Sequence, residues 1–193
     1  VIMPDFREVT LPNGLRIAAE IDRRGYSAAF GYFVRAGARD EVDPESGLSH
    51  FLEHMTFKGT PSRTADEVNQ RFDELGAEHN AWTTKENTVY YAVILPEYLE
   101  EVVDLWADVM RPSLREEDFE TEKEVILEEI SRSEDQPPFG AHEKCMAAHF
   151  GSHPLGRSVL GTAETVGRLT PDAMRGYWEQ RYSPTNMVLA AAG

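Results

Sequence analysis

The chain has 193 residues, 41% hydrophobic and 10% aromatic, which is enough for one sizeable core, so a single compact domain is the default expectation. A formal net charge of −15, from 34 acidic against 19 basic residues, argues against a nucleic-acid or anionic-membrane partner and favours cationic ligands. Cys145 is the only cysteine, so no internal disulfide and no thiolate metal cluster can form.

No apolar run reaches the roughly 20 residues of a membrane helix, and the first ten residues lack the order of a signal peptide. With no transit segment visible either, a bacterial cytoplasm is the expected setting, ahead of a periplasm or a mitochondrial matrix. Residues 1–36 alternate apolar and polar positions around the turn dipeptide Asn13-Gly14 and predict three strands, two of them a hairpin. A helix is expected from Pro44 to about Lys58, capped by Ser46 and stopped by Gly59. Thr64-Ala-Asp-Glu67 is a capping box for a second helix that ends at Gly76, with Val68, Phe72 and Leu75 on one face.

Two strands follow, 77–83 and 88–95, and then a helix from Pro96 whose Leu99, Val102, Val103, Trp106 and Val109 recur at core spacing. Pro112 breaks it, and a long acidic helix runs from Arg115 to about Asp135, where Gln136-Pro137-Pro138 ends it. A further helix is expected over 139–150, a loop over 151–161, and a helix capped by Thr170 that runs to Tyr182. Residues 186–193 read as a buried strand with nothing after it to cover it, which predicts self-association or exposed apolar surface. Hairpins and irregular alternation make the fold class α+β, a largely antiparallel sheet packed against several helices.

The chemistry concentrates in His50-Phe51-Leu52-Glu53-His54. Helix positions i and i+4 lie on one face, so His50 and His54 can present both imidazoles to one ion. Glu53 points about 100° away from His54, near enough to take a proton from a zinc-bound water without entering the coordination sphere. It is the candidate general base. HxxEH arises by chance in roughly 2% of shuffled chains of this composition, so a third ligand is needed to support it.

The acidic helix offers that ligand. Phe119, Glu122, Ile126, Glu129, Ile130 and Ser133 fall on one stripe, opposite Glu117, Glu120, Glu124 and Glu128. A carboxylate among apolar groups costs several kcal/mol unless paired, so Glu122 and Glu129 need partners. Periodicity does not choose between them.

The segment His50-Phe-Leu-Glu53-His54-Met-Thr-Phe-Lys-Gly59-Thr60 resembles the inverted zinc motif of the pitrilysin family, which includes insulin-degrading enzyme and the mitochondrial processing peptidase. The likeness continues through Gly76-Ala-Glu-His-Asn80-Ala81-Trp-Thr83, Glu122-Lys-Glu-Val-Ile-Leu-Glu-Glu129 and Leu155 to Thr162, nearly the whole chain. It implies a zinc-dependent endopeptidase acting on peptides or unfolded segments, with His50, His54 and Glu129 as zinc ligands and Glu53 as base. Glu122 matches the family's supporting carboxylate, and Asn80 and Ala81 match the edge strand that binds extended substrate. The resemblance further implies that 1–193 is one N-terminal metallopeptidase domain, with a related second domain or subunit to close over it. A non-catalytic peptide-binding or scaffold subunit is the alternative reading.

Other groups read as structural. His79 is expected to be exposed on its strand, His142 and His149 to play no part in the site, and Cys145 to be an inert core thiol. Trp82 and Tyr90 are expected to face each other across a hairpin.

Overall fold

The computed structural model describes residues 5–134 and 137–193. Six strands form one sheet: β1 (Asp5–Thr10), β2 (Arg16–Ile21), β3 (Ala28–Val34), β4 (Glu78–Thr83), β5 (Thr88–Ile94) and β6 (Met187–Ala192). They lie in the order β1-β2-β6-β3-β5-β4, and every neighbouring pair is antiparallel except β2 with β6. The helices are α1 (Leu48–Thr56), α2 (Ala65–Leu75), α3 (Leu99–Val109), α4 (Glu116–Glu134), α5 (Pro137–Phe150), α6 (Ala163–Arg168) and α7 (Pro171–Arg181). The α+β class and the largely antiparallel sheet are as expected. The proposed stop at Asp135 and Gln136 lies outside the described residues.

Period-two alternation divides the sheet between core and surface. Phe30, Tyr32 and Val34 of β3 and Tyr90, Ala92 and Ile94 of β5 join the core, whereas Phe33 is 43% exposed. Against this face pack the apolar stripes of α1, α2 and α3, with Leu48, Phe51, Leu52, Phe72 and Trp106 fully buried. Each such side chain contributes roughly 1.5–3 kcal/mol. Strand β6 is not left at an edge: β2 and β3 pair with it on both sides, and Leu189 enters the core. No helix among the described residues is long and apolar enough to cross a membrane.

Two local readings are corrected. Helix α6 was not anticipated, because six residues carry too little periodicity; Thr162 caps it through Thr165 N–H. The start of α1 also differs. Pro44 belongs to a 3-10 turn, Asp43–Glu45, and Ser46 does not cap the helix. Gly47 occupies the cap position at φ +97°, where a Cβ would come within 2.6 Å of the Leu160 carbonyl oxygen. Glu41 supplies the capping carboxylate from outside, accepting the N–H groups of Gly47 (2.9 Å) and Ser49 (2.7 Å).

That carboxylate is 3% exposed, and burial pushes its pKa up to about 7 against the two backbone hydrogen bonds that lower it. The folded chain therefore holds a proton that the unfolded chain releases near 4.5. Stability from this group is fully present below that value and is lost as the pH rises through about 7. The span is worth up to about 3 kcal/mol. Thermal unfolding between pH 5 and 8 is expected to show this decline in the wild type and a flatter profile in Glu41→Gln. Parallel profiles would contradict the assignment.

Candidate active site

Helices α1 and α4 are brought into register by one stacked pair: Phe51 on Phe119, ring centroids 4.5 Å apart at 24°. Such contacts are worth about 0.5–1.5 kcal/mol beyond the area they bury. Three residues after Phe119, Glu122 reaches His54, and ten residues after it Glu129 reaches both histidines. His50 and His54 stand one turn apart with ring centroids 4.6 Å apart. Glu129 Oε2 lies 3.8 Å from His50 Nε2 and 3.7 Å from His54 Nε2, and one ligand atom from each of the three residues falls within 4.8 Å of the others.

The spacing of this triangle suits an ion. At 3.7 and 3.8 Å the carboxylate oxygen is too far from either nitrogen for a hydrogen bond and too close for a water to stand between them. Two donors on a tetrahedral zinc at about 2.0–2.2 Å are themselves about 3.4 Å apart, so the two carboxylate–nitrogen edges of the triangle lie within a few tenths of an ångström of that spacing. The donors are chemically suited as well. Burial, with the neighbouring His54 adding to it, lowers the His50 pKa to about 3, so its imidazole is neutral and offers a lone pair. Among the described residues His50 Nδ1 is buried without a hydrogen-bond partner.

His54 is held differently. Its Nδ1 lies 2.9 Å from Glu122 Oε1, while Glu122 Oε2 takes Lys58 Nζ at 2.6 Å. Burial works to raise the Glu122 pKa, but the hydrogen bonds from His54 and Lys58 prevail and hold it below the ordinary carboxylate range. The sequence placed Glu122 and Glu129 together on a buried stripe; only Glu122 is buried, its side chain 6% exposed against 41% for Glu129. The difference has a plain cause, since Glu129 faces an open cleft.

That cleft, ≈ 520 Å³, has His50, Glu53, His54 and Glu129 at its base. Glu53 is 9% exposed, and burial raises its pKa against a hydrogen bond donated by Thr83 Oγ1. The edge strand β4 supplies Ala81, Trp82 and Thr83, and α5 supplies His142 and Glu143. Ala81 lines the cleft. Asn80 does not: its side chain turns to the other face of β4 and its Oδ1 accepts the Ala81 N–H at 2.8 Å.

Several secondary readings change. His142, read as structural, lines the cleft. Cys145 is exposed, because α5 packs through few of its residues. His79 is not exposed but stacks on Phe72 at 3.9 Å beside Trp106. Trp82 opposes Val89 and Ala81 opposes Tyr90, so Trp82 and Tyr90 point to opposite faces. Thr83, Lys58 and Lys85 were missed. Thr83 is two residues from Ala81 and Lys58 four from His54, so simple spacing places each on the same face as a site residue, although their partners, Glu53 and Glu122, lie on other elements or further along the chain. Lys85 bonds Glu143 (3.0 Å) and the Arg157 carbonyl (2.5 Å), contacts that no local pattern encodes.

Two imidazoles and a carboxylate around one point, with a second carboxylate beside them at the edge of a sheet, are the parts that a metal-dependent hydrolase needs. The chain belongs to the insulinase family, peptidase family M16, whose model matches residues 16–163. It is 44% identical over 188 residues to an uncharacterized zinc protease of Streptomyces coelicolor, covering 97% of this chain and 41% of that protein. To the probable mitochondrial-processing peptidase subunit beta of Arabidopsis thaliana it is 38% identical over 191 residues, or 98% of this chain and 36% of that protein. A crystal structure of a protease from Helicobacter pylori matches with a TM-score of 0.93 at 25% identity, over 98% of this chain and 46% of that one. The chain thus spans less than half the length of each of these proteins.

Proposed function

We propose that this chain carries the zinc-bearing domain of an endopeptidase that cleaves peptides or unfolded segments. One observation carries the reading: the convergence of His50, His54 and Glu129 beside the buried Glu53, which stands next to them without joining them. His50, His54 and Glu129 would hold zinc, with Glu122 orienting His54 through Nδ1. Zinc, when bound, supplies a water acidified to about pKa 7 and a Lewis acid for the scissile carbonyl.

Glu53 accepts the proton of the attacking water and returns it to the leaving amine; its burial raises its proton affinity toward that task. Ala81 and Asn80 on the edge strand take the substrate in extended form by adding it to the sheet. The chain covers 41% and 36% of the two relatives named above, one of them a subunit, and this supports a second related domain or subunit that completes the cleft. Relatives named zinc proteases support the metal.

The test is metal removal from the full-length protein. Chelation is expected to abolish peptide cleavage, and stoichiometric zinc to restore it. Cleavage that survives complete demetallation, or a zinc-loaded full-length protein that cleaves no peptide, would overturn the reading.

A further inference from the structure

Thr83 ends the edge strand and reaches over the ligand helix. Its hydroxyl donates to Glu53 Oε2, and its oxygen lies 3.3 Å from Thr88 Oγ1, its partner in register on β5. Thr88 is fully buried, and its own hydroxyl hydrogen goes to the Ala36 carbonyl at 2.9 Å. Thr88 therefore offers Thr83 only lone pairs. Two acceptors compete for the one Thr83 hydrogen, and the nearer of them, the Glu53 carboxyl oxygen, takes it.

The consequence for Glu53 follows from its position. Helix α1 fixes the Glu53 backbone, but two further side-chain torsions and the carboxylate rotation separate that backbone from the reacting oxygens. The bond from Thr83 is its one side-chain hydrogen bond among the described residues. It ties Oε2 to the sheet, in a side chain that lines the cleft. β-Branching stiffens Thr83 itself, and its pairing with Thr88 anchors it to the rigid interior of the sheet.

We propose that Thr83 is a positioning residue for the general base, holding one oxygen of Glu53 so that the other faces the attacking water. This rests on the reading of Glu53 as base. Because Thr83 lies on the strand proposed to take substrate, a positional effect on the base must be separated from an effect on binding. Valine and serine make that separation: Thr83→Val keeps the β-branched shape and loses the hydroxyl, whereas Thr83→Ser keeps the hydroxyl.

The experiment compares wild type, Thr83→Val, Thr83→Ser and Glu53→Gln in the full-length protein, measuring kcat, KM and zinc content. A hydrogen bond to a charged group corresponds to roughly a 10- to 100-fold fall in kcat for Thr83→Val, with KM and zinc content unchanged and serine restoring most of the rate. If Glu53→Gln abolishes turnover and Thr83→Val leaves kcat at the wild-type value, the positioning role is wrong and the base stands. If serine falls as far as valine, or the loss resides in KM or in zinc content, Thr83 acts through the strand and the inference is overturned. Full turnover in Glu53→Gln would remove both readings together.

Discussion

Replacing Glu53 by Gln is expected to lower peptide turnover by the full-length protein roughly 10²- to 10⁴-fold, the usual contribution of a general base. Zinc content should not change. The amide has nearly the shape of the carboxylate, and its oxygen can still accept the hydroxyl of Thr83, so the ligand helix has no cause to shift. What is lost is the ability to take a proton. Because Glu53 does not belong to the three-donor group, removing its charge leaves the triangle of His50, His54 and Glu129 intact. Steady-state kinetics beside metal analysis would decide the matter; undiminished turnover would exclude Glu53 as base.

The second large effect is expected at the two carboxylates of α4. Glu122→Gln should weaken zinc binding by roughly 10- to 100-fold, the usual cost of losing a partner that orients a ligand. It also leaves one uncharged acceptor oxygen where His54 and Lys58 now have two. Glu129→Gln should weaken binding further, since it takes the charge from one of the three donors grouped among the described residues. Competition against a chromogenic chelator ranks the two. A larger loss in Glu122→Gln would reverse their assignment.

Those same carboxylates mark the boundary of what the sequence discloses. Spacing of 3.6 residues places Glu122 and Glu129 on one stripe, and the structure keeps both on that side of α4. It could not tell that Glu122 lies against His54 and Lys58 while Glu129 opens to the cleft, because that depends on how far α4 slides along α1. The slide is fixed by Phe51 on Phe119, a contact between residues 68 positions apart. Element order and the capping box at Thr64 follow from local signals, namely turn dipeptides, caps and period-two alternation, whereas the edge position of β4 came only from the family resemblance. The helix start at Gly47 does not, since its cap comes from Glu41 and its left-handed backbone answers to Leu160.

The exposure of Cys145 and the place of His142 on the cleft wall escape the sequence for a related reason. A helix is ordinarily assigned a buried face, but α5 keeps most of its surface in solvent and turns His142 toward the cleft. Lys85 and Glu143, which bind α5 to the β4–β5 turn, meet across 58 residues. Charge pairing at that separation leaves no trace in a linear pattern.

Strand β4 raises a different matter. An edge strand beside a reactive site presents unpaired N–H and C=O groups to any extended chain, including another copy of itself, and such edges seed aggregation. Asn80 covers one of those donors, since its own side-chain oxygen occupies the Ala81 N–H. A short side chain can swing aside for a strand that gains several backbone hydrogen bonds at once, but it resists a partner that offers only a passing contact. Asn80 thus keeps one donor of this open edge occupied until an extended partner, of whatever kind, pairs along the strand.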